Sequence, residues 1–191
     1  MINFNTILKT DKILLRPIEE KDFEEIKELT HDTEMWTYFT SDLSAESELK
    51  AWIRQAVKEN KNESRLAFVV IELNANKIIG STSIGNISKT DQRVEIGWTW
   101  LAKEYQSRGY NSNVKKLLLQ YCFETLALKR VEFKTDVLNI AARKALAKIG
   151  AIEEGMLRSH TLMVKNRRRD TMYYSVLNDE WNSIKRKNNW I

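Results

Sequence analysis

EYQSRGYNSNVKKLLLQYCF, residues 104–123, changes abruptly from polar residues around one glycine to an apolar stripe. Its apolar residues recur three and four positions apart, which is the spacing of one buried helix face. The pattern therefore predicts a helix that begins just after Gly109. The predicted buried face consists of Val114, Leu117, Leu118, Tyr121, Cys122 and Leu126.

The start of this predicted helix has the features of an anion-binding site. Its first turn, 110–113, contains no acidic side chain, and the free N–H groups there carry roughly half a positive charge from the helix dipole. Gly109 allows the backbone to approach a ligand closely, and Arg108 lies beside it. These features suit a phosphate or a diphosphate. The sequence contains neither GxGxxG nor GxxxxGK(S/T), so the predicted ligand is neither a dinucleotide of the Rossmann type nor a P-loop nucleotide.

Helical and strand patterns alternate along the rest of the chain. Their order is β, α, α, three antiparallel strands, α, β, α, a final hairpin and a short last helix. This order indicates a mixed α/β or α+β domain. The predicted strands are 12–18, 65–73, 78–85, 93–101, 130–138, 151–163 and 170–177, and the predicted helices are 19–32, 44–60, 110 onward, 139–150 and 178 onward.

Local features add detail to these elements. Pro17 predicts that the first strand lies at a sheet edge, because proline cannot donate to a ladder. Ser44 is the predicted N-cap of the second helix, and Gly150 is predicted to end the fourth. In the strand RVEIGWTWL the residues alternate. Val94, Ile96, Trp98 and Trp100 are predicted to share one face, and Arg93, Glu95, Gly97 and Thr99 the other.

The composition favours one globular domain over residues 1–191. Of the 191 residues 42% are hydrophobic, which is enough for a core. No stretch approaches the roughly 20 apolar residues needed to span a bilayer. The N-terminus has no long apolar segment after a basic start, so no secretory signal is expected. The single cysteine, Cys122, allows no intrachain disulfide, and the cytoplasm is the expected compartment.

The chain is mildly basic, with a net charge of +5. Basic residues cluster in KNRRRD, 165–170, and KRK, 185–187. These clusters are either a solvated turn and tail or contacts to an anionic partner such as a phosphate or RNA. The charge falls short of the dense patches of nucleic-acid-binding proteins, so direct nucleic-acid binding is not expected. With two His and one Cys, no metal site is expected either.

The segment around Gly109 resembles the acetyl-CoA motif of the GNAT N-acetyltransferases, whose pattern is roughly Q/R-x-x-G-x-G/A. Gln106, Gly109 and Asn111 occupy the positions of that pattern, after the strand RVEIGWTW. RVEFKTDVLNIAARKALAKIGAIEEGMLR, 130–158, resembles the family's next strand, its Asn-started helix and the returning strand. The opening KILLRPIEEKDFEEI and the closing RRRDTMYYSVLNDEW resemble the RimJ/RimL-like branch. The resemblance covers nearly the whole chain and implies the GNAT acyl-CoA N-acyltransferase fold, a central mixed, mostly antiparallel sheet flanked by helices.

This resemblance also implies where acetyl-CoA binds. The backbone of strand 93–101 would pair with the pantetheine arm, the amides of 107–112 would hold the diphosphate, and Asn139 would hydrogen-bond the pantetheine. Two residues depart from the family pattern: Asn111 replaces a small loop residue, and Ala142 replaces a serine that can contact the sulfur. A methyl group cannot protonate the leaving thiolate. The implied cofactor-binding residues are Trp98, Trp100, Leu101, Gln106, Ser107, Arg108, Gly109, Tyr110, Asn111, Ser112, Asn139 and Ala142.

The implied reaction is direct attack of an amine on the thioester carbonyl. Glu95 is the predicted base, acting directly or through water, and a backbone N–H near 97–99 is the predicted oxyanion donor. His160 is the alternative base. Glu95 could instead be an exposed strand residue paired with Arg93 or Lys134.

The acceptor side is predicted to include Trp36, Tyr38 and His160. The segment HDTEMWTYFT, 31–40, either lines the acceptor cleft or forms a hydrophobic plug under the first two helices. The RimJ/RimL-like branch implies the N-terminal amine of a protein, ribosomal or other, as the acceptor. Alternatives are a polyamine or amino sugar, a catalytically silent acyl-CoA sensor, and an RNA- or ribosome-binding module using KNRRR. The sequence does not fix the oligomeric state, and a homodimer stays open.

Overall fold

A computed structural model describes residues 2–190 around one eight-stranded sheet. Its strands are β1 Leu8–Lys9, β2 Ile13–Pro17, β3 Leu66–Glu72, β4 Lys77–Ser88, β5 Arg93–Leu101, β6 Arg130–Asp136, β7 Ile152–Leu162 and β8 Arg168–Leu177. They lie in the order β1-β2-β3-β4-β5-β6-β8-β7. Every neighbouring pair is antiparallel except β5 and β6, which are parallel. The predicted mixed, mostly antiparallel sheet is therefore confirmed.

Helices cover both faces of this sheet. They are α1 Phe23–Thr30, α2 Glu46–Lys61, α3 Tyr110–Gln120, α4 Ile140–Ile149 and α5 Trp181–Lys187. Buried side chains of α1 and α2 pack on one face, and those of α3, α4 and α5 pack on the other. The alternation of β3 produces this layering, because Phe68 points to the α3 side while Val69 points to the α2 side. Among residues 2–190, no helix combines the length and apolarity needed to cross a bilayer.

Two predictions at the N-terminal end are wrong in detail. Helix α2 begins at Glu46 with Ala45 as its N-cap, and Ser44 instead donates its backbone N–H to Asp42 Oδ1 over 3.0 Å. Strand β2 is not the edge strand, because the short β1 pairs with its residues Leu14 and Leu15. Pro17 lies beyond that pairing, so its missing N–H interrupts no ladder on the β1 side.

A β-bulge in β5 changes which side chains share a face. The pairing with β4 shifts by one residue between Gly97 and Trp100, and Trp98 has a positive φ of 51°. Ile96 therefore packs on the α3 side, whereas Trp100 packs on the α2 side. The predicted face of Val94, Ile96, Trp98 and Trp100 is wrong, because the extra residue of a bulge reverses the alternation.

Strands β5 and β6 pair over a short length and then separate. Their parallel ladder joins only residues 93–95 to residues 130–132. Beyond it, β5 continues beside β4 and β6 continues beside β8. We call the space between Gly97–Leu101 of β5 and Phe133–Asp136 of β6 the interstrand gap. The backbone of β5 faces this gap without a sheet partner among residues 2–190.

Candidate active site

The loop that leads into α3 closes one end of the interstrand gap. Gln106 Nε2 donates to the carbonyl oxygen of Leu101 over 2.8 Å, which ties the loop to the end of β5. Gly109 is the N-cap of α3 and has a φ of 85°, a left-handed conformation that favours glycine. The first turn has neither an acidic residue nor a side-chain cap. Its leading N–H groups are therefore available to a ligand.

The surroundings of this loop fit an anionic group. A side chain at Gly109 would meet no atom within 4 Å, so the space beside the glycine is open. Ser107 and Arg108 are exposed there. The amide oxygen of Asn111 is buried and has no hydrogen-bond partner among residues 2–190. An open loop with free amides, one arginine and an unsatisfied amide side chain can accept a diphosphate.

On the β6 side, the chain leaves the sheet through Asn139. Its side-chain oxygen accepts the backbone N–H of Ala142 over 3.0 Å and so caps α4. The side-chain NH₂ of Asn139 stays available to donate to a ligand. Ala142 is half-buried and presents only a methyl group beyond its backbone. The sequence predicts both residues as cofactor contacts, and the structure adds the capping role.

Glu95 lies buried where β5 and β6 part. Its Oε2 accepts a hydrogen bond from Asn86 Nδ2 at 2.5 Å and pairs with Lys134 Nζ at 2.7 Å. Its Oε1 has no hydrogen-bond partner among residues 2–190 and lies over Gly97, where an added Cβ would be 3.1 Å away. Glu95 is thus neither exposed nor paired with Arg93. One carboxylate oxygen is held in place, and the other faces the backbone of the bulge.

Lys134 extends this polar network towards β7. Burial lowers the pKa of the Lys134 ammonium. The hydrogen bond and negative charge of Glu95, together with Tyr173, raise this pKa by a larger amount, so it lies above its ordinary value. Lys134 Nζ lies 4.9 Å from the centre of the Tyr173 ring, which packs edge-on against His160 at 5.8 Å. The alternative base His160 is therefore separated from Glu95 by two side chains.

A cavity of about 390 Å³ opens on the α2 side of the sheet near Glu95. Arg65 lies between the rings of Trp52 and Trp98, at 5.8 and 5.1 Å, and pairs with Glu59 at 2.6 Å. Asn86, which donates to Glu95, is part of the wall. The cavity, which we call the α2-side cavity, is lined by Thr40, Ser41, Trp52, Gln55, Glu59, Ser64, Arg65, Asn86 and Trp98.

The sequence pattern of the acetyltransferase (GNAT) domain matches residues 12–152, which include Glu95, the interstrand gap and the α3 loop. The chain belongs to the GNAT acetyltransferases. It is 30% identical over 184 residues to the "Putative ribosomal N-acetyltransferase YdaF" of Bacillus subtilis, with 92% of this chain and 96% of the relative covered.

Solved GNAT structures have the same fold. A GCN5-related N-acetyltransferase from Brucella melitensis superposes with a TM-score of 0.88 at 24% identity, covering 97% of this chain and 85% of that chain. A "putative acetyltransferase" from T. thermophilus superposes with a TM-score of 0.87 at 27% identity, with 100% of both chains covered. The predicted GNAT fold and N-acetyltransferase class are therefore confirmed.

In this GNAT enzyme, the aromatic residues of the predicted acceptor wall have separate positions. Trp36 is 1% exposed, donates from Nε1 to the carbonyl oxygen of Thr30, and packs against Phe39 and Trp100. Its side chain cannot reach a substrate, so the structure supports the plug alternative for Trp36. Tyr38 lies at the surface with 36% exposure. Trp100 is also core, and only its backbone borders the interstrand gap.

Cys122 has no catalytic position in the acetyltransferase. Its thiol is fully buried on the helix face, and burial raises its pKa above the ordinary value. A thiol in this state is a poor nucleophile. Among residues 2–190, no group of three His, Cys, Asp or Glu side chains is placed to hold a metal ion.

Lys115 of this enzyme is a further residue that the motifs of the sequence do not indicate. The side chain is 6% exposed, and burial lowers its pKa to about 7. Its position in the helix could have indicated that it is buried. Lys115 shares a helix face with Leu118, Leu119 and Cys122, three, four and seven residues later, and a lysine is expensive to bury there.

Proposed function

We propose that this acetyltransferase transfers the acetyl group of acetyl-CoA to the α-amine of a protein N-terminus, of a ribosomal or another protein. The observation that carries the proposal is the interstrand gap, which leads from the open first turn of α3 to the free oxygen of Glu95. The name of the Bacillus subtilis relative, a ribosomal N-acetyltransferase, supports this class of acceptor.

The proposed seat of acetyl-CoA follows the interstrand gap. The amides of 107–112 hold the diphosphate, with Arg108 beside it. The unpaired backbone of Gly97–Leu101 pairs with the pantetheine arm, as a neighbouring strand would. Asn139 donates its side-chain NH₂ from the β6 side. The acyl end then lies near Gly97–Thr99, next to Glu95.

The proposed chemistry uses groups at the bulge. Glu95 Oε1 takes the proton of the attacking amine, directly or through water, while Lys134 and Asn86 hold the other oxygen in place. The register shift and the positive φ of Trp98 interrupt the β4 ladder. A backbone N–H of 97–99 is the proposed donor that stabilises the oxyanion.

The choice of an α-amine rests on proton affinity and on the charge of the cavity. An α-amine has a pKa near 8, whereas a lysine amine has a pKa near 10.4, so the first needs less help to lose its proton. The α2-side cavity contains one carboxylate, Glu59, which is already paired with Arg65. A polyamine would find no unpaired carboxylate among these lining residues, so the cavity favours a peptide.

A panel of acceptors tests this proposal. The purified protein is mixed with acetyl-CoA and one acceptor: a peptide with a free N-terminus, the same peptide with a blocked N-terminus and a free lysine, spermidine, or an aminoglycoside. Thiol release and product mass are measured. We expect product only with the free N-terminus. Turnover of spermidine or the aminoglycoside alone would exclude the peptide acceptor, and CoA binding without turnover of any amine would indicate a sensor.

Two variants test the base. Glu95→Gln removes the proton acceptor at nearly constant shape, and we expect kcat to fall about 100-fold while the Kd for CoA changes little. Lys134→Met removes the cation that holds Glu95 Oε2 in place, so kcat should fall while the Kd for CoA changes little. Full activity of Glu95→Gln would remove Glu95 as base.

The basic turn does not require a nucleic-acid partner. Arg167 pairs with the buried Asp136, and Arg168 donates to Ser159. Burial lowers the pKa of Arg169, which donates to Thr171. We propose that these arginines stabilise the β7–β8 hairpin. We also propose the cytoplasm as the compartment, since a single cysteine allows no intrachain disulfide.

A further inference from the structure

A lysine side chain crosses the α3 side of the interstrand gap. Lys115, in the second turn of α3, donates from Nζ to Thr99 Oγ1 over 2.9 Å. The same nitrogen lies 5.6 Å from the centre of the Phe133 ring on β6. Thr99 Oγ1 is also 2.8 Å from Thr82 Oγ1 on β4. Lys115 therefore reaches from α3 to both strands that border the gap.

This amine has no charged partner among residues 2–190. On β6 the charged residues Glu132, Lys134 and Asp136 alternate with Phe133 and so project from the opposite face of the sheet. On β5, Glu95 alternates with Val94 and Ile96 and also points away from α3. The other charged residue of α3 is Lys116, which would repel a second positive charge. Thr99 and the Phe133 ring both contact the Lys115 amine.

Burying an ammonium group without a counter-ion lowers the free energy of unfolding. Such groups are therefore found mainly at functional sites, where the charge or the proton takes part in binding or catalysis. The gap beside Lys115 is the proposed path of the pantetheine arm, and Thr99, midway along Gly97–Leu101, borders the proposed position of the acyl end and its sulfur. The leaving thiolate needs a proton there. Ala142, on the α4 side, offers only a methyl group.

We propose that Lys115 is the acid that protonates the thiolate of coenzyme A as it leaves. The proposal rests on the proposed seat of acetyl-CoA. Thr99 holds the ammonium on β5, next to the proposed position of the sulfur. The proton acceptor, Glu95, and the proton donor, Lys115, then lie on opposite faces of the sheet and serve the two sides of one reacting carbonyl.

The step balances in protons and electrons. The amine nitrogen forms a bond to the acetyl carbon and gives up its proton to Glu95. The carbon–sulfur bond breaks, and its electron pair goes to sulfur. Sulfur takes one proton from the Lys115 ammonium, which leaves a neutral lysine and a free thiol. Water later returns the proton from Glu95 to Lys115 for the next cycle.

Burial gives this lysine an acidity suited to the task. Its pKa is lowered from 10.5 to about 7, because the charged form loses its hydration. An acid with a pKa near the working pH combines a large protonated fraction with easy proton release. An ordinary surface lysine would release its proton far less readily.

The first test uses the pKa of the thiol of bound CoA and needs no acceptor. An ammonium beside the sulfur stabilises the thiolate and lowers that pKa. We titrate CoA bound to the wild-type protein and to Lys115→Met, following thiolate absorbance in the ultraviolet, with Lys116→Met as the control on the same helix. We expect a lower thiol pKa in wild type and in the control than in Lys115→Met. Equal values in all three would overturn the proposal.

The second test uses turnover of acetyl-CoA with a peptide that has a free N-terminal alanine. We expect kcat to fall about 100-fold in Lys115→Met and equally in Lys115→Arg, because arginine keeps the charge but does not release its proton at this pH. Calorimetry should give Kd values for CoA within about threefold of wild type. Rescue by arginine would indicate a purely electrostatic role and overturn the proposal.

The remaining outcomes separate this proposal from the one it rests on. If the wild-type protein binds no CoA, the proposed seat fails. If it binds CoA but Lys115 becomes acetylated, as peptide mass spectrometry would show, then Lys115 is a nucleophile and not an acid. If Lys115→Met does not fold, the pKa of Lys115 can be measured by NMR of the ¹³C-lysine-labelled wild-type protein, with Lys115→Arg used to assign its signal. A Lys115 pKa at the ordinary lysine value would overturn the proposal.

Discussion

At the scale of single residues, Gly109 shows why the proposed cofactor loop contains a glycine. Its φ of 85° places it in a region that residues with a Cβ enter at a cost. The open space around its Cα shows that packing does not require glycine there. A glycine is therefore favoured at position 109 for two reasons: it adopts the left-handed conformation easily, and it leaves the neighbouring amides accessible to a ligand.

Gly109→Val should abolish CoA binding, because a β-branched residue opposes the left-handed conformation by about 1–3 kcal/mol and its side chain would cover the amides. Gly109→Asn is the matched control, since asparagine tolerates this conformation better. Isothermal titration with CoA measures both. We expect a partial loss for asparagine and a complete loss for valine, and unaltered binding to the valine variant would contradict the loop assignment.

Lys115 lowers stability in a way that depends on pH. Its folded-state pKa of about 7 lies below the unfolded value of 10.5, so between these pH values the unfolded chain binds more protons. The free energy of unfolding should therefore rise with pH in this window, by at most about 1.4 kcal/mol per unit. Lys115→Met should remove this slope and be more stable at pH 7 by about 2 kcal/mol or more.

Urea unfolding of wild type and Lys115→Met between pH 6.5 and pH 9.5 checks this expectation. Lys116→Met, on the same helix but only half-buried, serves as the control and should follow the wild-type slope. If the free energy of unfolding changes with pH in the same way for all three proteins, the pKa of Lys115 is the same in the folded and unfolded states.

Among the elements, β5 shows how far a sequence pattern can be read. The existence and the bounds of this strand, 93–101, agree with the prediction. The bulge could not be predicted, because RVEIGWTWL alternates without interruption and a tryptophan carries no signal for a positive φ. The prediction therefore placed Glu95 opposite Trp98 and Trp100, whereas the bulge brings all three to the α2 side.

The family resemblance implies a β5 whose backbone is free to pair with pantetheine, but the residue pattern does not show where β5 separates from β6. Each strand has a regular pattern, and only their three-dimensional pairing shows that the ladder ends at Glu95 and Glu132. By contrast, helix α3 and its glycine start were predictable, because helix periodicity and a left-handed glycine are local properties. Local signals predict the loop proposed to hold the diphosphate, while the gap and the burial of Lys115 depend on tertiary pairing.

Hydrogen exchange should reveal the gap directly. The β5 amides that face it lack a partner in the ladder, so they should exchange quickly without ligand and be protected when CoA is added. Exchange mass spectrometry of peptides covering 97–112 measures this change. Strand β3, Leu66–Glu72, is paired on both sides and should show no change. Protection confined to β3 or to β7 would place the ligand elsewhere.

At the scale of the whole molecule, the sheet separates two apolar cores. Ile53 of α2 belongs to one and Leu118 of α3 to the other, and both are buried. Ile53→Ala and Leu118→Ala should each lower the free energy of unfolding by about 2–5 kcal/mol. Because the sheet lies between them, the effects should add to within about 0.5 kcal/mol. Denaturant unfolding of the single and double variants tests this; strong coupling would mean that the sheet transmits repacking.

Because β5 and β6 separate beyond Glu95 and Glu132, the sheet has an opening that connects its α2 side with its α3 side. In the proposed reaction, the peptide amine would approach from the α2 side, and coenzyme A would enter along β5 from the α3 loop. Because the two proposed routes are separate, both reactants can be bound at the same time. We therefore expect a ternary complex, and initial-rate plots should give intersecting lines and no parallel series. The acetylated peptide and free coenzyme A would then be released by different routes, on opposite sides of the sheet.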